Sequence, residues 1–342
     1  MSSGLRTAQM NIYDIAKEAG VSIATVSRVV NGSSKVSEKT KSKVLKIIKD
    51  AGYTPNIFAK GLGLDSMQTI GILVPDISDM YMAMAVSHLE KMLHAYGYDM
   101  ILGCSGYSAE SKEDHIRLLL DKRIDALLLV GSTYAGSDNK KHNTSYIKEA
   151  AEEKPVFLIN GILTGKNIYC TGSDDRKAVY DATIRLINDG RKKILFLTDS
   201  MSYSANKKRS GYMDALKDSG IGVSDDMIIN TRNDIHHVRD MLKSREGSFD
   251  AVVATEDGMA IGAVKYVLGM GLSVPGDVSV IGYNNSNLCV ASVPELTSVD
   301  NRLEDVCRCT VDRMIKVLNG EKNVRKKIIF DCDLVERDTT DL

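Results

Sequence analysis

Apolar residues near the start of the chain recur with the period of an α-helix. The stripe of a first helix consists of Ile12, Ile15, Ala16 and Ala19. Asn11 precedes this stripe and its side chain can cap the first turn, while Gly20 follows it and can adopt a positive φ. Ser22 can cap a second helix that begins directly afterwards. The pattern predicts two short helices joined by a four-residue turn.

The second helix has two faces of different character. One face of the helical wheel consists of Thr25, Val26, Val29 and Val30. The opposite face consists of Ile23, Ala24, Ser27 and Arg28. Small side chains and an arginine suit the DNA major groove, where arginine can form a bidentate hydrogen bond with guanine. We interpret the pair as a helix-turn-helix motif, with two ordinary surface helices as the alternative.

A third apolar stripe favours the DNA-binding interpretation. It lies between Ser37, a capping residue, and Gly52, which is typical of a helix end. The stripe consists of Val44, Ile47, Ile48 and Ala51. We therefore expect three helices that close a small hydrophobic core.

Charge is distributed unevenly along the chain. The whole sequence has 44 Lys and Arg against 45 Asp and Glu, which indicates nothing by itself. Residues 1–62 hold ten basic and four acidic side chains, a local charge of +6 that leaves −7 for the remainder. Binding to DNA phosphates depends on such a local excess of positive charge, so the distribution supports a DNA-binding head.

From Thr69 onward the pattern changes to short apolar runs separated by helical segments. The runs are TIGILVP, YDMILGC, IDALLLV, PVFLING, KKILFLT, FDAVVAT and VSVIGY. Continuous apolar strands between helices predict parallel sheets that are covered on both faces. About 275 residues are too many for one such sheet, so we expect two lobes.

The amino-terminal motif resembles the lactose/galactose-repressor family of transcriptional regulators. The matching residues are IYDIAKEAGVSIATVSRVVNGSSKVSEKTKSKV and GYTPNIFAKGL, and the resemblance continues along nearly the whole chain. It implies an α/β protein with a three-helix helix-turn-helix head at 1–54 and a hinge helix with its linker at 55–67. Residues 68–342 would form a two-lobed, periplasmic-binding-protein-like domain for effector binding and dimerisation. Lobe one would take about 68–166 and 299–328, and lobe two about 167–298 and 329–342.

The resemblance also implies DNA contacts for individual residues of the head. Base edges would be read by Ile23, Ala24 and Arg28. Phosphate contacts or support of the recognition helix would come from Ser22, Thr25 and Ser27, and Asn31 belongs to the same DNA-contacting group.

In the hinge, the resemblance implies that Leu62 wedges into the minor groove between central base pairs, with Lys60 as the basic residue near it. A core leucine is the alternative for Leu62, but the glycines on both sides of it argue against a packed element. Each glycine within a helix costs about 1 kcal/mol relative to alanine, so we expect a hinge that is unfolded away from DNA.

The positions that match the family's effector contacts are Tyr81, Met82, Asp174, Lys208, Arg209, Glu256, Asp257 and Asn284. They fall in loops or helix starts beyond predicted strands, where ligands bind in parallel α/β sheets. Asp174 serves equally well as a plain helix cap. Lys208 stands where sugar-binding members usually carry arginine, so a bidentate contact to two sugar hydroxyls would be absent. The resemblance implies a small polar effector, a sugar or sugar derivative, with another ligand class or a partner protein as the alternative.

Other chemistry is weakly indicated. The six cysteines form no CxxC pair, and Gly269-Met270-Gly271 lacks the third glycine of a dinucleotide loop. We expect neither a cofactor nor a metal site. The sequence shows neither a signal peptide nor an apolar run of membrane length, so we expect a cytoplasmic protein with no membrane partner.

These observations predict a homodimeric DNA-binding regulator, not an enzyme. It would act as a repressor on a pseudo-palindromic operator of double-stranded DNA, under the control of a small effector in the interlobe cleft. Residues 331–342 carry no leucine heptad, so nothing indicates a coiled coil that would form a tetramer. The alternative is a solute-binding or enzymatic α/β protein with an incidental helical head.

Overall fold

Two compact units make up the chain, Met1–Gln68 and Thr69–Leu342. The computed structural model describes residues 10–30, 35–51, 66–135 and 144–341. Three of the residues predicted to contact DNA lie outside these ranges, namely Asn31, Lys60 and Leu62. The predicted hinge at 55–67 also lies outside them, apart from its last two residues.

The first unit contains the three predicted helices, α1 (Ile12–Ala19), α2 (Ile23–Val30) and α3 (Glu38–Asp50). Each helix contributes a fully buried residue to one small core, because its apolar stripe faces the other two helices. The three residues are Ile15, Val26 and Val44. The predicted three-helix head is thus confirmed.

Local hydrogen bonds fix both ends of α1. Asn11 Oδ1 accepts hydrogen bonds from the amides of Tyr13 and Asp14, and the Asp14 carboxylate accepts one from the Asn11 amide in return. Gly20 ends the helix in the left-handed conformation, with a φ of 67°. These bonds satisfy amides that a helix start leaves unpaired, and the glycine permits the tight turn into α2.

The second unit has two six-stranded sheets, one in each lobe. The strands of the first sheet are β1 (Thr69–Val74), β2 (Asp99–Cys104), β3 (Ala126–Val130), β4 (Val156–Ile159), β5 (Ile168–Ser173) and β11 (Lys327–Phe330). Those of the second are β6 (Ile194–Thr198), β7 (Ile228–Asn230), β8 (Ala251–Ala254), β9 (Ser279–Tyr283), β10 (Thr297–Asp300) and β12 (Asp333–Val335). The orders are β11-β5-β4-β3-β1-β2 and β12-β10-β9-β8-β6-β7, and every pair is parallel except β10 with β12.

Helices accompany both sheets, as expected for parallel strands joined by crossover connections. In the first lobe they are α4 (Met80–Ala95), α5 (Ala109–Asp121), α6 (Ser145–Glu153) and α12 (Leu303–Leu318). In the second lobe they are α7 (Asp175–Asn188), α8 (Tyr203–Asp218), α9 (Ile235–Leu242), α10 (Asp257–Gly269) and α11 (Asn287–Ala291). Short 3₁₀ turns occupy Ser132–Tyr134, Asp225–Met227 and Lys243–Arg245.

Central strands are buried on both faces, which explains their unbroken apolar sequences. In β3, Leu127 and Leu129 pack into one cluster of the first lobe, and Leu128 and Val130 pack into another on the opposite face. All four side chains are fully buried.

Among the helices in the described ranges, none combines the length and the apolar character that a membrane span needs.

The chain crosses between the lobes three times, after β5, β10 and β11. The sequence-based boundary at about 167 therefore needs a correction, because β5 pairs with β4 and β11 in the first sheet. Ile168 and Cys170 of β5 pack in the core of the first lobe. The first crossing thus lies at the start of α7 and not before β5.

Candidate functional site

The outer face of α2 presents the side chains that were predicted to read DNA. Ile23, Ala24 and Arg28 are exposed, whereas Val26 and Val29 are buried in the head's core. Ile23 is a large apolar side chain and still 41% exposed. The helix therefore offers an apolar and cationic surface of the kind that fits a major groove.

Hydrogen bonds at the start of α2 explain its polar residues. Ser22 Oγ accepts a hydrogen bond from the Thr25 amide at 3.2 Å and lies 3.0 Å from Thr25 Oγ1. These two residues therefore hold the first helical turn, one of the two roles predicted for them. Ser27 is half-buried on the same helix.

The second unit contains a cavity of about 340 Å³ at the carboxyl ends of both sheets. Its walls come from segments that follow strands of each lobe, as expected for ligand sites in parallel sheets. The lining includes three carboxylates, Asp79, Asp199 and Glu256, and three tyrosines, Tyr81, Tyr107 and Tyr203. Such a site can accept hydrogen bonds from a polar ligand and cover its apolar face.

Five of the eight predicted effector residues line this cavity, namely Tyr81, Met82, Lys208, Glu256 and Asn284. The other three, Asp174, Arg209 and Asp257, are not on its wall. The first lobe supplies two of the five through α4, and the second lobe supplies three through α8 and the loops after β8 and β9.

Lys208 is held in place by its surroundings and is only 4% exposed. Its Nζ donates a hydrogen bond to the Thr255 carbonyl oxygen at 2.9 Å and lies 3.6 Å from the centre of the Tyr283 ring. The Tyr283 hydroxyl in turn donates to the buried Asp175 carboxylate at 2.6 Å. The lysine is therefore as much part of a buried charge network as of the cavity wall.

Glu256 completes this network on the cavity side. Its Oε1 lies 3.8 Å from Lys208 Nζ, and its Oε2 accepts a hydrogen bond from Asn284 Nδ2. Burial raises the pKa of the Glu256 carboxyl well above its ordinary value, the negative charges of Asp199 and Asp79 raise it further, and Lys208 opposes the rise. Protonation of Glu256 is thus easier than that of a solvated glutamate.

The three residues off the wall have structural surroundings of their own. Asp257 is buried, and its carboxylate accepts hydrogen bonds from the Ser298 hydroxyl at 2.6 Å and the Ser286 amide at 2.8 Å. Asp174 caps α7 by accepting a hydrogen bond from the Lys177 amide, which fits the helix-cap alternative. Arg209 is half-buried on α8, directly after Lys208.

Several lining residues were not predicted from the sequence. Asp79, Tyr107, Asn160 and Asp199 follow the strands β1, β2, β4 and β6, so their place after a strand could have indicated them. Lys112 lines the cavity from the first turns of α5 and offers no such signal. Among the described residues, no group of three or more His, Cys, Asp or Glu could hold a metal ion.

Comparison with protein families decides which architecture this is. Residues 67–338 match the family described as "Periplasmic binding proteins and sugar binding domain of LacI family", and residues 11–56 match "Bacterial regulatory proteins, lacI family". The chain belongs to the LacI family. It is therefore a DNA-binding transcriptional regulator with a domain of the sugar-binding type, and not an enzyme.

Relatives of this LacI-family protein align over nearly its whole length. An HTH-type transcriptional regulator of Lachnoclostridium phytofermentans is 49% identical over 334 residues, which cover 97% of this chain and 99% of the relative. The lac repressor dimer bound to operator and the anti-inducer ONPF has a TM-score of 0.85 at 24% identity, covering 97% and 99% of the two chains. A CelR–cellobiose complex has a TM-score of 0.69 at 23% identity, covering 97% and 100%. The two structures share the fold of this chain.

Proposed function

We propose that this protein is a homodimeric repressor that binds a pseudo-palindromic operator in the cytoplasm. A small polar effector, a sugar or sugar derivative, binds in the cleft of the second unit and changes operator affinity. The observation that carries the proposal is the cavity of about 340 Å³, which is lined by both lobes and opens where parallel strands end. The exposed apolar and cationic face of α2 supplies the DNA-reading part.

The lining of the cavity suits a carbohydrate. A sugar ring has hydroxyls at its rim and C–H groups on its faces. Asp79, Asp199 and Glu256 can accept hydrogen bonds from hydroxyls, and Asn160 can both donate and accept. Tyrosine rings such as Tyr81 can pack against the apolar face. The matching family description names a sugar-binding domain, and the CelR structure of the same fold holds cellobiose.

An effector can act on DNA binding only through a difference in its affinity for two arrangements of the lobes. Because both lobes line the cavity, a ligand that contacts both distinguishes those arrangements. The predicted hinge residues Lys60 and Leu62, outside the described part of the chain, would transmit the change to the minor groove.

The proposal is tested with the full-length chain and a library of double-stranded DNA that carries a randomised centre. We expect enrichment of one sequence with two related half-sites. We also expect its release by a member of a panel of neutral sugars and their acidic derivatives in a mobility-shift experiment at moderate salt. Enrichment of sequences without paired half-sites, or equal binding to random DNA, would contradict the operator proposal.

Arg28→Ala is expected to weaken binding to the selected operator by about 1–3 kcal/mol and to relax the preference at one base pair of each half-site. The physical reason is that an exposed arginine on the outer face of α2 can pair with guanine O6 and N7. The measurement is a titration of parent and variant against the operator and against single-base substitutions. An equal loss on operator and random DNA would show that Arg28 contacts phosphate alone.

An apolar groove of the second lobe supports the homodimer. It has a volume of about 300 Å³ and is lined mainly by side chains of α9, α10, α11 and the segment after α11: Ile235, Ile261, Val264, Leu288, Ala291 and Val293. Val293 is 89% exposed and Val290 is 56% exposed. Exposed valines around an apolar groove mark a surface that gains from burial, and a two-fold contact can bury it in both subunits at once.

Val293→Asp is therefore expected to raise the dissociation constant of the dimer at least about 30-fold, the equivalent of about 2 kcal/mol. The reason is that a carboxylate from each subunit would be moved out of water without a partner. Sedimentation velocity over a range of concentrations measures the change. Val223→Asp, an equally drastic change at an exposed valine outside the groove, is the control and should leave the dimer intact. A dimer equally stable in both variants would place the interface elsewhere.

A further inference from the structure

Lys112 is a buried cation on the cavity wall. It lies near the start of α5 in the first lobe and is only 4% exposed. Lysine is seldom buried to this degree unless its charge is paired. Its surroundings therefore decide whether a partner comes from the protein or from a ligand.

The protein holds Lys112 with two neutral groups. Nζ donates a hydrogen bond to the Thr133 carbonyl oxygen at 3.0 Å, and it lies 4.9 Å from the centre of the Tyr134 ring. Tyr134 itself is fixed, because its hydroxyl lies 2.8 Å from Ser105 Oγ. An ammonium group carries three donors, so this arrangement orients the side chain and leaves donors for a further acceptor.

The carboxylates of the cleft do not act as that acceptor. Asp79, Asp199 and Glu256 interact electrostatically with one another, and Asp79 and Glu256 also interact with Lys208. Lys112 has no comparable carboxylate among the described residues, and burial alone lowers its pKa from 10.5 to about 8. Within the described ranges, Lys112 thus has no carboxylate partner, whereas Lys208 has Glu256.

We propose that Lys112 binds an anionic oxygen of the effector, so that the preferred ligand is an acidic sugar. The inference rests on the proposed effector role of the cleft and narrows its ligand class. The carboxylate of a sugar acid or the phosphate of a sugar phosphate supplies the missing partner for Lys112. Hydroxyls elsewhere on the same ring donate to Asp79, Asp199 and Glu256. A charge-assisted hydrogen bond in a buried site is strong. It would also offset the free-energy cost of burying the Lys112 ammonium group.

The experiment compares each neutral sugar with its own acidic derivatives on the full-length protein at neutral pH. The probes are glucose, glucuronate and glucose 6-phosphate, together with galactose, galacturonate and galactose 6-phosphate. Affinities are measured by calorimetric titration and by thermal stabilisation. We expect an acid of at least one series to bind about tenfold or more tightly than its neutral parent, and comparison of uronate with phosphate identifies the source of the anion.

Two variants on α5 separate the charge from its surroundings. Lys112→Met should abolish the preference for the acid and leave affinity for the neutral parent nearly unchanged. Lys122→Met makes the same change at the exposed end of the same helix and should preserve the preference. Without ligand, Lys112→Met is expected to have a melting temperature at least as high as the parent, because it removes a buried unpaired charge. If it does not fold, Lys112→Gln removes the charge and keeps a donor for Thr133.

Three binding results would overturn the inference. They are neutral sugars that bind as well as both acids, no binding of any acid, and an equal loss for neutral and acidic probes in Lys112→Met. A lower melting temperature of both Lys112→Met and Lys112→Gln without ligand would indicate a structural lysine and would also overturn the inference. Release of operator by a neutral sugar, with no preference for acids, would reject the role of Lys112 and leave the proposed function standing. Failure to select any operator would reject the proposed function, while the affinity comparison would still decide the ligand class.

Discussion

Lys208→Met is expected to lower the free energy of unfolding of the second unit by about 3–5 kcal/mol at neutral pH, as is usual when one partner of a buried ion pair is removed. Lys208 is the cation beside Asp175 and Glu256, and its charge opposes the rise in the pKa of both carboxyls. Without it, these groups must either remain charged without a partner or take up protons. Either alternative disfavours the folded state at neutral pH.

The loss of unfolding free energy in Lys208→Met should decrease as pH is lowered. Burial raises the pKa of Asp175 and Glu256 in the folded protein above the unfolded values. Such groups favour folding most below the unfolded pKa, about 4, and this contribution is lost as pH rises through the folded pKa. In Lys208→Met, the pKa values of Asp175 and Glu256 in the folded protein should be higher still. The variant should therefore lose most stability relative to the parent at neutral pH and less at acidic pH.

Urea denaturation of parent and variant at neutral and mildly acidic pH measures this effect. Lys217→Met, at the exposed end of the same helix, is the matched control and should change stability by less than about 0.5 kcal/mol. A Lys208→Met deficit that stays constant with pH would mean that lost packing, and not the charge, causes it.

Gly211→Ala is expected to destabilise the second lobe by about 3 kcal/mol. Gly211 lies on α8 where that helix packs against α7, and a Cβ atom there would overlap the Arg176 carbonyl oxygen and stand 3.0 Å from the Tyr180 nitrogen. Both are backbone atoms, so the helices themselves would have to separate. Movement of α8 would also displace Lys208, which the same helix carries.

Thermal denaturation followed by circular dichroism measures the loss. Gly269→Ala provides the control, because that glycine is also helical, does not have a positive φ, and would carry a Cβ atom with nothing within 4 Å of it. It should be neutral or stabilising by about 0.5–1 kcal/mol, owing to the helix preference of alanine. Equal effects of the two substitutions would contradict the close approach of α7 and α8.

The regular helices and strands could be predicted from the sequence, because apolar residues recur there at the positions that the fold buries. The stripes of α1 to α3 and the seven apolar runs at β1 to β4, β6, β8 and β9 are confirmed. The remaining strands are short or polar, and β10 shows why they escape. Its residues Thr297 and Ser298 are buried, yet they are polar because their hydroxyls form hydrogen bonds with the side chains of Thr340 and Asp257, respectively. Hydrophobicity alone cannot identify such a strand.

The candidate site could be predicted from the sequence only in part, for a different reason. Position after a strand brings a residue to the correct edge of the sheet but does not decide where its side chain points. Glu256 and Asp257 are neighbours after β8, and only Glu256 lines the cavity, whereas Asp257 binds Ser286 and Ser298. Lys112 lies in a charged segment of an amphipathic helix, so the sequence gives no sign that it is buried.

Because the chain crosses between the lobes three times, residues 327–341 contribute to both lobes. The last crossing separates β11 from β12, and these are the edge strands of different sheets. Beyond them, the Thr339 hydroxyl donates a hydrogen bond to the Val280 carbonyl oxygen in the second sheet. A stop codon or frameshift just after residue 326 would thus remove an edge strand from each lobe at once. Each lobe is built from separate segments of the chain, so neither can be expressed as one continuous fragment. Truncation therefore cannot remove one lobe and leave the other intact.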